Sequence, residues 1–236
     1  MSVNTGPNIP QNGLVFSVDP ASQISWDGAN YKNLSHSDDS ATITGTITHR
    51  TDGGGSFTFD VSSSYFDYGT TSPLRNLYNI SLVGWVKQGN TGSAHQTVIC
   101  TSSGYRYGLK LMSRYHTQGV SLWMGNGGSG SYLLNTGMDI TGDGKYHMIA
   151  CTRNGGDGDL KIYVDGILRN SVGFTNQSFK GGIKEGGNTL LGAEYHSAGY
   201  HHTGNIAQVY GYNTVLSDDD ILEMYNNGKE RYGLWK

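Results

Sequence analysis

The segment Asn205–Tyr212, NIAQVYGY, and the Ser217-Asp218-Asp219-Asp220 run just behind it constrain this chain most. Residues of the first segment alternate: Ile206, Gln208, Tyr210 and Tyr212 fall on one side, Ala207, Val209 and Gly211 on the other, which predicts a two-sided β-strand. The chain then turns at Asn213-Thr214, and Ser217 stands where a helix N-cap belongs, its side chain able to accept from an early backbone N–H. The three aspartates behind it suit the positive end of a helix dipole. Ile221, Leu222 and Tyr225 form a narrow apolar stripe at helical spacing, and Asn226-Asn227-Gly228 offers a left-handed stop. A sheet with one short helix leaning on it is the expected outcome.

The rest of the chain repeats the strand half of that pattern. Ala41–His49 alternates as ATITGTITH and reads as a strand; ISLVGWVK at 80–87, TVICTS, RYGLKLM, GVSLWMG and YLLNT follow at short spacing, as in a meander of hairpins. In RYGLKLM, Tyr107, Leu109 and Leu111 share one side with Tyr105, while Arg106, Lys110 and Met112 share the other. Asp165-Gly166, behind the strand Leu160–Val164, is a two-residue hairpin signal. Gly84 beside Trp85 marks a close backbone approach. With 36 glycines, four prolines and 16 tyrosines, the composition favours short strands and tight turns over helices. No linker, charge run or fixed-period repeat divides the chain, so one domain over 13–236 is expected, behind a polar arm, 1–12, that either attaches to a neighbour or frays.

Several stretches together resemble a known family. GNIAQVYGYNTVLSDDDILEMYNNGKERYGL resembles the closing segment of laminin-G-like, concanavalin A-like jelly rolls, in particular the versions found among tailed-phage structural proteins. Gly144–Arg153 is similar to that family's G-x-W-H-H-V-A-x-T-R strand and Leu160–Gly166 to its L-x-L-Y-V-D-G strand, the most characteristic pair of the match. Ser25, Trp26, Gly28, Tyr31, Asn33, Leu34 and Ser35 match an S-W/Y-x-G…W/Y-x-D/N-L-S loop, and SFTFDVSSSYFDYG resembles a strand pair whose usual Asp-Gly turn is replaced here. The resemblance implies an all-β, two-sheet antiparallel jelly-roll sandwich of the concanavalin A-like lectin/glucanase type with one short C-terminal helix, and a buried Trp85. It also implies a non-catalytic virion structural protein on a phage particle surface, a capsid decoration or a tail- or fibre-associated subunit. Such a protein would be assembled in the host cytoplasm, with other virion proteins and further copies of itself as partners. The alternative it leaves open is a carbohydrate-binding, lectin-like module with a glycan ligand.

Composition and motifs narrow the chemistry. A formal charge of −3 with no Lys/Arg cluster gives no footprint for nucleic acid. The opening MSVNTGPNIPQNG has neither a basic region nor an apolar run, and no segment reaches membrane-spanning length, so a soluble chain without a standard secretion signal is expected. Cys100 and Cys151 lie in apolar strand patterns and read as small hydrophobes; a bridge requires Cα atoms within about 7 Å. No E-x-D-x-E-like run supplies the two flanking carboxylates of a glycoside hydrolase, so no catalytic residue is assigned. Calcium is the cofactor the family suggests, with Asp19 and the aspartate loops as candidates, but Gln208 stands where relatives often carry an acid. The cluster EYHSAGYHHTG falls short of a zinc set, because adjacent His201 and His202 point to opposite faces when extended. The candidate binding residues are therefore aromatic and imidazole groups that present an apolar body with a polar tip. They are Trp26, Tyr31, Trp123, Tyr195, His196, Tyr200 and His201. Trp26 and Tyr31 either form an exposed sugar platform or pin their loop to the sheet edge.

Overall fold

A computed structural model describes residues 9–35, 39–59, 63–90, 95–103, 107–128, 130–174, 182–183, 186–194 and 200–234. In chain order the strands are β1 (Leu14–Val18), β2 (Tyr31–Lys32), β3 (Ser40–Thr44), β4 (Ile47–Arg50), β5 (Ser56–Phe59), β6 (Tyr65–Asp67), β7 (Ile80–Gln88) and β8 (His95–Cys100). They continue with β9 (Leu109–Tyr115), β10 (Ser121–Gly125), β11 (Ser131–Asn135), β12 (His147–Arg153), β13 (Leu160–Val164), β14 (Ile167–Val172), β15 (Leu190–Leu191) and β16 (Gly204–Tyr212). A helix α1 (Asp218–Gly228) and a 3-10 turn, Lys229–Tyr232, close the chain.

Two antiparallel sheets face each other. The first has the order β14-β13-β12-β7-β16-β5-β4, with β1 alongside β16; the second has the order β11-β10-β9-β8-β15-β6-β3-β2. Between them Phe16, Leu82, Val86 and Ile149 of the first meet Ile99, Leu109, Leu111 and Leu122 of the second in one buried cluster. A second cluster, with Trp85, Tyr163, Tyr212, Ile221 and Met224, fills the space between the outer side of the first sheet and α1. This is the two-layer jelly-roll sandwich that the strand pattern and the family resemblance imply, and β8 to β11 form the expected meander. Asp165 and Gly166 both take positive φ, 55° and 77°, as a two-residue hairpin turn of the primed type requires. Among the described residues no helix is long and apolar enough to cross a membrane.

The structure departs from the sequence reading in four places. Ala41–His49 is not one strand: Gly45, at φ 72°, breaks it, and β3 and β4 join different sheets. A Cβ on Gly45 would lie 2.7 Å from the Ser63 carbonyl oxygen. Likewise β5 and β6 are not partners but lie in opposite sheets. In β16 the register shifts between Ile206 and Val209, so the simple alternation fails. Ile206 and Val209 both face the inter-sheet core, Ala207, Tyr210 and Tyr212 all face the helix, and Gln208 is released to meet Asp19 and Tyr232. Finally, Gly228 is not a left-handed stop. It is the last helical residue, at φ −96°, and a Cβ there would come 2.6 Å from the Trp85 ring; Gly233, at φ 73°, ends the segment instead. The start of α1 is as expected: Ser217 accepts from Asp220 N, and the Asp220 side chain accepts from Ser217 N. Its buried stripe is Ile221, Met224 and Gly228, whereas Leu222 is exposed.

Residues 1–8 of the arm lie outside the described residues; Ile9 packs against the second cluster. Cys100 and Cys151 are buried thiols not joined in a disulfide, and burial pushes the Cys151 thiol up to about 12. The two outer faces of the sandwich thus differ: one is covered by α1, the other is left to strands and loops.

Candidate functional site

The outer face of the second sheet, on which no described helix packs, holds the candidate site. Pairing across it runs Trp123 to Lys110, Lys110 to Cys100, Cys100 to Leu190 and Leu190 to Asp67. Because Leu109 and Leu111 point into the inter-sheet core, Lys110 between them points outward. The sequence sets Lys110 on the side opposite Leu109 and Leu111, without saying which side faces the core. The structure adds that this lysine is fully buried, with its Nζ donating to Glu194 Oε1 at 2.6 Å and lying 3.9 Å from the centre of the Trp123 ring. Trp123 itself is only half buried. Desolvating an ion pair costs energy that its mutual attraction rarely exceeds, so this pair is poorly explained by stability alone.

A second group of rings lies farther along β8. His95 is stacked between Tyr115, 4.2 Å away at 19°, and Tyr200, 4.6 Å away at 24°. The turn after β9 brings His116 back over them in a left-handed conformation, φ 49°, so that its Nε2 lies 2.8 Å from His95 Nε2, one ring donating and the other accepting. Burial first, and then the neighbouring His116, lowers the His95 pKa below the usual imidazole value. Glu194 and Lys110 also act on His95 electrostatically, which ties the ion pair and the ring stack into one surface.

The chain leaves Glu194 and returns at Tyr200, with Ala193 bridged to His201 at the base of this excursion. His201 stacks on Tyr65 on the outer face, ring centres 5.9 Å apart. The adjacent His202 turns the other way, to Phe59 and to Ser113 Oγ, 3.2 Å from its Nδ1, as extended backbone requires. Full burial drops the His202 pKa to about 3.

Of the sequence candidates, Trp123, Tyr200 and His201 are brought to this face. Tyr195 and His196 lie outside the described residues. Trp26 and Tyr31 do not join it. They sit at the opposite edge of the sheet, where Tyr31 is fully buried among Phe57 and Phe66, and half-buried Trp26 meets Phe57 edge-on at 4.9 Å. Tyr31 is therefore no exposed platform: the aromatic core behind the loop takes its ring, and the pair pins the loop. Lys110, Glu194, His95, Tyr115 and His116 were not singled out by sequence, and Glu194 opens the EYHSAGYHHTG cluster, the one signal that pointed there.

Two of the carboxylates put forward for calcium, Asp19 and Asp143, are taken up by other partners. Both Asp19 carboxylate oxygens accept from the Arg231 guanidinium, at 2.5 and 2.8 Å, and Gln208 Nε2 donates to the same group at 2.9 Å. Asp143 and Asp165 clamp His147 from either side, at 2.7 and 2.8 Å. Among the described residues no three acidic, histidine or cysteine side chains converge on a metal position.

Two facing antiparallel sheets, with an outer face carrying rings beside a charged pair, form a lectin-like β-sandwich. The chain belongs to the concanavalin A-like lectin/glucanases superfamily, whose family description matches residues 60–222. No curated protein matches the chain in sequence. Among solved structures it is similar to domain 4 of AbnA, a GH43 extracellular arabinanase from Geobacillus stearothermophilus, in complex with arabinotriose. That match has 18% identity and a TM-score of 0.71 and covers 92% of this chain and 100% of that one. The binding domain of Paraclostridial Mosquitocidal Protein 1 is similar at 11% identity and TM-score 0.70, over 91% of this chain and 52% of that one. The Ruminococcus gnavus IT-sialidase CBM40 bound to alpha2,3 sialyllactose matches at 19% identity and TM-score 0.55, over 70% of this chain and 94% of that one.

Proposed function

We propose that this chain is a non-catalytic glycan-binding module whose site is the outer face of the second sheet. The observation that carries the reading is the buried Lys110–Glu194 pair beneath half-buried Trp123, on the side of the sheet that faces away from the core. Sugar recognition needs an apolar ring face held in a fixed direction; Trp123 supplies the ring, and the buried pair beneath it fixes the ring's place. Glu194 faces a lysine, and Asp67 on the same face accepts from Asn188 and Gly69 N, so neither is arranged as one of two opposed acids. The solved arabinanase domain and the sialidase module, both holding oligosaccharides on a similar fold, support this choice of ligand class. A glycan array probed with the parent chain and with Trp123→Ala tests it. Binding with a millimolar or lower Kd that weakens at least ten-fold in the variant is expected; no binding to any glycan at millimolar concentration contradicts it.

The setting is a separate part of the proposal. The GNIAQV-to-RYGL ending resembles tailed-phage structural proteins, which supports a place on a virion surface, in repeated copies among other virion proteins. Mass spectrometry of purified particles that finds no peptide of this chain would remove that setting and leave the glycan reading intact.

A further inference from the structure

A second ligand site lies on the opposite side of the sandwich. We infer that the cleft beside the carboxyl-terminal helix binds a carboxylate-bearing saccharide, an inference that goes beyond the neutral or unspecified glycan of the first site and does not depend on it. The cleft has a volume of about 510 Å³, within the usual range for small-molecule sites, and is lined by Lys87, Lys145, Tyr146, Tyr225 and Tyr232.

Its floor is rigid. Tyr232 lies 4.6 Å from Trp85 and 4.9 Å from Tyr146, and Tyr225 runs nearly parallel to Trp85 at 5.8 Å and 15°. Fully buried Trp85 anchors the set, so these rings offer a surface that needs little ordering when a sugar binds. Its rim is low: Gly144 and Gly233 line it at positive φ, and a Cβ on either would meet nothing within 4 Å. A flat ring can therefore approach bare backbone on two sides.

The charge selects the ligand. Lys32, Lys110 and Lys161 each sit within ion-pair distance of a carboxylate, at 2.6–2.8 Å. Among the described residues neither Lys87 nor Lys145 has such a partner, although both face the cleft. The acids nearby make their close contacts with other groups, Asp143 and Asp165 with His147 and Asp52 with Arg50, and act on the cleft lysines only at longer range, Asp143 on Lys145 and Asp52 on Lys87. Lys229, 5.8 Å from the Tyr225 ring centre, adds a third cation at the edge. Two ammonium groups that no carboxylate among the described residues holds at ion-pair distance, set over a tyrosine floor, match a sugar that carries a carboxylate, whereas a neutral sugar would use the rings alone.

Calorimetric titration of the full chain at low salt with trigalacturonic acid, neutral galactotriose and inorganic phosphate tests this. Trigalacturonic acid is expected to bind at least ten-fold more tightly than either other probe, to weaken at least ten-fold in Lys87→Ala/Lys145→Ala, and to weaken again in Tyr225→Ala. The lysine variant should keep a Tm close to the parent's, since Lys145 is exposed and Lys87 only partly buried. Equal affinity for the acidic and neutral sugars overturns the inference, as does unchanged affinity in the lysine variant. Phosphate binding as tight as the acidic sugar reduces the cleft to a simple anion site and also overturns it. Trp123→Ala separates the two sites: acidic binding that survives it belongs to the cleft, and acidic binding lost there but kept in the lysine variant contradicts the cleft assignment.

Discussion

The two outer faces of this sandwich are built from the same kind of strand and finished in opposite ways. On the first sheet, Trp85, Tyr163, Tyr210 and Tyr212 are sealed beneath α1 with Ile221 and Met224, so burial of rings is converted into stability. On the second, no helix covers the strands among the described residues, and Lys110, Glu194, Trp123 and the His95 stack occupy the equivalent place. Apolar residues would close that face at lower cost, because a buried ion pair seldom repays its desolvation. The difference sets a face closed by apolar packing under a helix against one that carries a buried charged pair beneath a half-buried ring.

Substitutions should break the comparison in a definite order. Trp85→Ala removes the anchor of the sealed face and should cost about 3–5 kcal/mol in urea unfolding; a loss below about 1 kcal/mol would show that the helix does not depend on it. Lys110→Met leaves Glu194 buried without its partner and should cost about 3–5 kcal/mol, while Lys110→Met/Glu194→Leu should return to within about 1 kcal/mol of the parent. A double variant as unstable as the single one would make the pair structural after all.

Protons should sharpen the contrast. His202, behind the second sheet, is held neutral with its pKa near 3, whereas the unfolded chain takes up that proton near 6.5. Its contribution is complete above about pH 6.5 and is lost as pH falls toward 3, at about 1.4 kcal/mol per pH unit. His202→Asn should flatten that part of the acid unfolding curve; an unchanged slope would mean that the ring is protonated in the fold. His147, at the margin of the first sheet, responds in the other sense. Burial opposes its charge, but hydrogen bonds from Asp165 and Asp143 outweigh it and raise the pKa, so its contribution is present below about pH 6.5 and fades as pH rises through the raised value. The smallest effect expected is Ser217→Ala, about 1 kcal/mol through loss of the helix cap, read from the shift in the urea midpoint.

Much of the fold was legible because its signals are local. The strand runs of β8 to β11, the Asp165-Gly166 turn and the Ser217 cap each occupy a few consecutive residues, and each formed as read. Where the reading failed, the deciding contact was distant. Gly228 looks like a helix stop within its own segment, but it is small because the Trp85 ring lies against it. Gly45 divides a well-alternating run because the chain must cross from one sheet to the other there. The site was harder still. Lys110 could be set on the side of its strand opposite Leu109 and Leu111, but its partner Glu194 is 84 residues away, and no spacing rule joins them. Tyr31 and Trp123 are indistinguishable as aromatic letters, and only the packing shows that one is in the core and the other at the surface.

The central claim is that the Lys110–Glu194 pair is kept for recognition rather than for folding. Its most direct test is titration of Lys110→Met/Glu194→Leu with the glycan that the parent selects most strongly from an array, alongside urea unfolding of the same sample. The account predicts a cooperative unfolding transition close to the parent's and a glycan affinity at least ten-fold weaker. A variant that folds as well as the parent and binds that glycan with undiminished affinity would contradict it.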